Sequence, residues 1–261
     1  MGPAVAKRPR VSHVLSEDPD LAASIPVGLR EQATKECIAG VRTIQPGAWK
    51  ARDVSLSREG IGLLVLRGLL IRRVGVEARF GAELLGAGDL LRPWQGEDEP
   101  PTLPVTTGWR VLQPMRIALL DAVCARRLAR YPEVIGALVA RALERSRNLA
   151  VNMAIVHQAR VDVRLQMLFW HLAARWGRVA GDGVRLPLRL THDVLADLVA
   201  ARRPTVTSAL SELVSRGLVQ RERGLWLLLG SPPSELLELA PASAELTGGG
   251  EDAAPMSRSL R

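Results

Sequence analysis

The order of apolar and polar positions divides the chain into stretches of different texture. Residues 1–35 are rich in Pro, Ala and charge and predict a flexible N-terminal arm. Short strands and turns follow: IGLLVL, then Arg67 and Gly68, then LLIRRV, then glycines at 75, 81, 86 and 88. Apolar runs of four to six residues broken by glycine predict a small antiparallel β domain over 36–125. Within it RPWQGEDEPPTLPVTTG shows neither a helical nor a strand period and predicts a long acidic loop.

At about residue 116 the texture becomes helical. As far as Trp176 the only proline is Pro132, and Val139, Ala142, Ser146, Leu149, Met153 and Val156 recur at alternating steps of three and four. Such a narrow seam marks a helix that packs along another helix. A symmetric dimer would supply the partner, and packing on the chain's own β domain is the alternative. The stretch 126–160 is therefore expected as a dimerisation helix. A second helix, VDVRLQMLFWHLAARWG, ends at Gly177, a residue suited to a helix C′ position. RLPLRL then suggests a short strand, helices begin at Thr191 and about Arg202, and LVQRE and LWLLL form two short strands separated by Arg223 and Gly224. Helix, strand, helix, helix, hairpin is the order of a winged helix-turn-helix, expected over 161–231, with 232–261 as a Gly/Ala/Ser-rich tail. The fold class expected is α+β.

The helix-turn-helix stretch carries the candidate chemistry. Thr191 is a good N-cap, Leu195, Leu198 and Val199 form a buried face, and Ala196 is the small residue that two steeply crossing helices require. Ala200 occupies the turn, where positive φ is expected and alanine costs perhaps ~1 kcal/mol against glycine. Pro204 suits the first turn of the second helix and starts it abruptly, which projects Arg202 and Arg203 at its N-terminal end. Val206, Ala209, Leu210, Leu213 and Val214 form its apolar side, and Thr205, Thr207, Ser208 and Ser211 its polar one. Arginines, hydroxyls and exposed amides bind phosphate oxygens or base edges, and Arg221 and Arg223 on the following hairpin add to the set. An isolated helix with this polar face would be merely solvated. The combination with a short preceding helix, a small residue at the crossing and a basic wing makes DNA the expected ligand.

Charge supports that choice. The 261 residues are 47% hydrophobic and 24% charged, typical of a globular protein, with a formal net charge of +8 that favours a polyanionic partner. The N-terminus has no secretory pattern and no run is long enough to span a bilayer, so a cytoplasmic location and no membrane contact are expected. Cys37 and Cys124 form no CxxC and are expected as small buried hydrophobes. His13, His157, His171 and His192 show no metal-ligand spacing and no carboxylate pair is set apart for acid–base work, so neither a metal, a haem nor an enzymatic function is expected.

LTHDVLADLVAARRPTVTSALSELVSRGLVQRERGLWLL resembles the C-terminal domain of the Crp/Fnr family of bacterial transcription regulators. GLLVLRGLLIRRV and GAELLGAGDLL resemble that family's cyclic-nucleotide-binding-like β-roll, with Gly88-Asp89 as its G-D turn. The resemblance implies an antiparallel, jelly-roll-like β-roll, a dimerisation helix, and a homodimer binding an inverted repeat in double-stranded DNA, with RNA polymerase as a candidate partner. It implies no fixed cofactor and an effector of unknown identity. Two departures qualify it. The segment LRPWQGEDEPPTLPVTTGWRV lacks the arginine that pairs with a cyclic phosphate in members that bind cyclic AMP, which argues against that ligand in the usual mode. The recognition helix keeps Arg203 but has Pro204 and Ser208 where well-known members carry a glutamate and a second arginine, which argues for a different operator. A small-molecule or partner-sensing module whose winged helix docks on protein is the alternative reading.

Overall fold

The computed structural model describes residues 10–50, 54, 60–76, 79–94 and 105–233. Its N-terminal half is an antiparallel sheet of seven strands: β1 (Arg10–His13), β2 (Ile38–Ile44), β3 (Gly47–Ala48), β4 (Gly62–Val76), β5 (Arg79–Gly86), β6 (Leu90–Leu91) and β7 (Val105–Leu120). The strand path is β1-β2-β7-β4-β5, with β3 on β7 and β6 on β4. This is the antiparallel roll expected, but its strands are longer than the glycines suggested. β4 runs straight through Arg67 and Gly68, where the pairing to β7 slips in register instead of ending. Gly68 has φ +99°, and a Cβ on it would lie 2.5 Å from the Pro114 carbonyl oxygen and 2.6 Å from Met115 Cα. Pro114, which has no N–H to donate, stands opposite this bulge, so the irregularities of the two strands coincide. Likewise VTTG at the end of the expected loop is part of β7; residues 95–104 of that loop lie outside the described residues.

The expectation of a flexible arm is corrected over residues 10–35. After β1 the chain forms α1 (Val14–Glu17), α2 (Pro19–Ala23) and α3 (Val27–Glu36). Val14, Leu15, Leu21, Ile25 and Ala33 are buried in one cluster with Cys37, Cys124, Tyr131, Val134 and Leu138. Burial of these side chains outweighs the turn-forming composition, and residues 1–9 lie outside the described part. Cys37 and Cys124 are free thiols in this core, and burial pushes them up to about 11 and about 12.

The helical half begins with α4 (Ala122–Leu128), capped by the Asp121 carboxylate on the Cys124 N–H at 2.8 Å. A turn and Pro132 at N1 separate it from α5 (Pro132–Val156), so the long helix is shorter than the span 126–160 expected. Next come α6 (Val161–Trp176), β8 (Arg178–Ala180), β9 (Gly183–Leu186), α7 (His192–Leu198), α8 (Arg203–Ser215), β10 (Val219–Glu222) and β11 (Leu225–Leu228). The second sheet has the order β10-β11-β9-β8. RLPLRL contributes only Arg185 and Leu186 to β9, because Pro187 cannot donate to the ladder. Gly177 has extended geometry, φ −67° and ψ 151°, not the left-handed C′ form. Its need for glycine is steric: a Cβ would fall 2.4 Å from the Ala173 carbonyl oxygen. Residues 234–261 of the expected tail are outside the described residues.

One apolar cluster joins the two halves. Leu69, Ile71 and Leu84 of the roll pack with Phe169 and Leu172 of α6, Leu195 and Leu198 of α7 and Leu210 of α8. Buried ion pairs reinforce the junction of roll and helix: Arg145 of α5 grips both Glu83 oxygens, at 3.0 and 2.6 Å, and Arg72 of β4 pairs with the same carboxylate. Arg141 makes a two-pronged contact with Asp18, and Arg175 of α6 reaches Asp89 at 3.0 Å. Asp89 also accepts from the Gly86 N–H at 2.7 Å, which fixes the turn in which Gly88 has φ +89°.

Candidate nucleic-acid interface

The two helices α7 and α8 are built as their residues demand. Thr191 caps α7, its Oγ1 accepting from the Val194 N–H at 3.3 Å. Ala196 is buried, and its carbonyl accepts from the Ala201 N–H at 3.0 Å, which reverses the chain between the helices. This reversal holds Ala200 at φ +50°, the left-handed region expected of the turn. Arg202 is the residue before α8 and Pro204 lies in its first turn. Val206, Leu210 and Leu213 face the core, whereas Val214, expected on the same side, is 48% exposed: helical spacing places it at the edge of the packed face.

The opposite face of α8 is open. Arg202, Arg203, Thr205, Thr207, Ser208 and Ser211 are all exposed, and no acidic residue occurs in the first turn. Three hydroxyls donate back into the helix: Thr207 to the Arg203 carbonyl at 3.1 Å, Ser208 to that of Pro204 at 3.3 Å, and Ser211 to that of Thr207 at 3.1 Å. With their protons engaged, they present acceptor lone pairs outward, suited to amino groups on base edges.

Sequence reasoning missed the partners of this face. Asp193 of α7 stands 3.4 Å from Arg203 Nε, and His192 Nδ1 lies 3.0 Å from Thr207 Oγ1. A carboxylate on Nε leaves the two terminal nitrogens of Arg203 free to approach an acceptor pair together. The signal was the i, i+1 pair His192-Asp193 directly after the N-cap, where a side chain reaches the start of the next helix. Asp197 is pushed above its usual range by burial, opposed by Arg73, which lies 3.2 Å away on β4 and ties α7 to the roll.

On the wing, Arg223 and Gly224 have φ +48° and +83°, a two-residue turn with both central residues left-handed, as strand twist favours. Arg223 is exposed at this tip, and Arg221 is exposed with its guanidinium 5.4 Å from the centre of the Trp226 ring. The seam residues are distributed along α5: Val139 (53% exposed), Ala142, Ser146 and Met153 (62%) are open, and Leu149 and Val156 are half-buried. Leu143, absent from the expected set, is 67% exposed on the same stretch. Among the described residues no group of His, Cys, Asp and Glu could hold a metal ion, and no helix is long and apolar enough to cross a membrane.

Residues 163–229 match the family model of the Crp-like helix-turn-helix domain. The chain is 31% identical over 123 residues to the CRP-like cAMP-activated global transcriptional regulator of Mycobacterium tuberculosis, 46% of this chain and 54% of that protein. It thus spans about half the length of the curated relatives it matches. The chain belongs to the Crp/Fnr family. The Crp/Fnr fold extends over the rest of it. A cyclic nucleotide-binding domain containing protein from Listeria monocytogenes superposes with TM-score 0.57 at 13% identity, covering 80% of this chain and 96% of that one. The c-di-GMP responsive global regulator CLP of Xanthomonas campestris superposes with TM-score 0.53 at 16% identity, covering 79% of this chain and all of that one (100%).

Proposed function

We propose that this Crp/Fnr chain is a sequence-specific DNA-binding transcription regulator that reads an inverted repeat as a homodimer. The observation that carries the reading is the open face of α8, where two arginines and a row of hydroxyls project beyond a helix whose other side is locked into the core. Arg203 is the principal base reader: a bidentate contact to guanine is worth roughly 1–3 kcal/mol of discrimination. Thr207, Ser208 and Ser211 contribute acceptors. Thr191, Arg202, Thr205, Arg221 and Arg223 bind the backbone on either side. A partner for α5 follows from three large apolar side chains, Val139, Leu143 and Met153, exposed on one helix. Two-fold pairing along that helix would set two recognition helices into successive major grooves, with half-site centres roughly 34 Å apart.

Cyclic AMP in the usual mode is no part of the proposal. The sequence lacks the phosphate-pairing arginine, and apolar side chains including Leu63, Val65, Leu70, Leu85, Val111, Met115 and Ile117 are buried together inside the roll.

Selection of bound sequences from random DNA, repeated with Arg203→Ala, tests the reading. The expected result is an inverted repeat whose halves each lose one base preference in the variant. Enrichment of no sequence, with weak binding indifferent to both Arg203→Ala and salt, would instead favour a winged helix that docks on protein.

A further inference from the structure

A cleft of about 580 Å³ opens where the β4–β5 hairpin, the C-terminal half of α5 and the α7–α8 turn meet. It is apolar, with Val74 and Phe80 from the hairpin, Leu149 and Met153 from α5, and Leu198 from α7 among its walls. Its volume lies in the range of small-molecule sites, about 300–1,000 Å³.

The polar groups in these walls define the occupant. Glu83 lines the cleft, but Arg145 and Arg72 already hold it, and Asp197 is paired with Arg73. The one liner with an unmet requirement is Asn152, whose Oδ1 is buried and accepts no hydrogen bond. A buried acceptor without a donor is costly, and a ligand that supplies the donor recovers that cost on binding. An anionic ligand would meet two carboxylates whose arginines are already engaged. We infer that this cleft is a binding site for a neutral, largely apolar small molecule carrying one hydrogen-bond donor, which Asn152 accepts.

The position of the site gives occupancy a consequence. Leu198 and Ala200, the end of α7 and the left-handed turn residue, form one side of the cleft and lead directly into α8. A ligand that wedges the hairpin from this turn biases the placement of the recognition helix; this coupling rests on the DNA-binding reading, whereas the site itself does not.

Titration of the full chain with N-phenyl-1-naphthylamine, a neutral apolar fluorophore with a single N–H, tests the site. Saturable emission at one site per chain is expected, and Ala82→Trp, which fills the cleft from β5, is expected to weaken it at least about tenfold. A second comparison avoids large substitutions. 1-Phenoxynaphthalene has the same shape with an ether oxygen for the N–H; it is expected to compete roughly two- to tenfold less well in the native chain and equally well in Asn152→Leu. Equal affinity of the two compounds for the native chain overturns the proposal. So does binding unchanged by Ala82→Trp, or binding seen only in a monomeric Leu143→Glu variant, which would assign the cleft to a second copy of the chain.

Discussion

Replacing Ala200 by glycine is expected to stabilise the protein, against the usual penalty for glycine. Ala200 is held at φ +50° by the hydrogen bond from the Ala201 N–H to the Ala196 carbonyl, and an L-residue there carries about 1–2 kcal/mol of strain. Glycine removes that strain and adds about 0.4–1 kcal/mol of unfolded-chain entropy. The methyl group is exposed, so almost no packing is lost. The balance is a gain of about 0.5 kcal/mol, or roughly 1–2 °C in the unfolding midpoint of a chain this size. Ala200→Val inverts the sign, because a β-branched residue is still less tolerant of positive φ, and should lose about 1 kcal/mol or more. Urea unfolding of the three proteins measures both differences. If glycine destabilised by more than about 0.5 kcal/mol, the strain assigned to this turn would be wrong.

Four further outcomes are expected. Asp193→Ala frees Arg203 and removes a negative charge beside the proposed interface; filter binding should show random DNA bound up to about fivefold more tightly, with discrimination reduced. Glu83→Ala leaves two buried guanidinium groups without their carboxylate and should cost about 3–5 kcal/mol in chemical denaturation, with Arg72 and Arg145 no longer tying the roll to α5. Leu143→Glu should give a monomer in sedimentation velocity while circular dichroism stays native. Burial holds His171 below its ordinary value of 6.5, so the unfolded state protonates first: stability is complete above about 6.5 and falls as pH drops through the lowered value, and His171→Gln should remove that acid loss in melts from pH 7.5 to 5.

The helix-turn-helix was legible because its constraints are local. Ala196 must be small where helices cross, Ala200 must accept a left-handed backbone, and Pro204 must stand in a first turn; each lies within a few residues of the group that restricts it. Gly68 and Gly177 were misread for the opposite reason. Their partners, the Pro114 carbonyl across the sheet and the helix end at Ala173 pressed against β9, turn an apparent strand break into a bulge and an apparent C′ glycine into an extended residue. Residues 10–35 were misread because composition counts prolines and charges, whereas order there depends on Leu15, Leu21 and Ile25 meeting a helix more than a hundred positions later.

By itself the sequence determined the winged helix, the long helix with its apolar stripe and the family, since periodicity, caps and turn residues act over a turn or a hairpin. Only the tertiary structure decided which charges are free and which are spent. Asp193 meets Arg203, Glu83 is held by Arg72 and Arg145, and Asn152 is left without a donor beside an apolar cleft. Those outcomes depend on distances between elements far apart along the chain, and electrostatic and hydrogen-bond energies fall off with distance in space, not with separation in sequence.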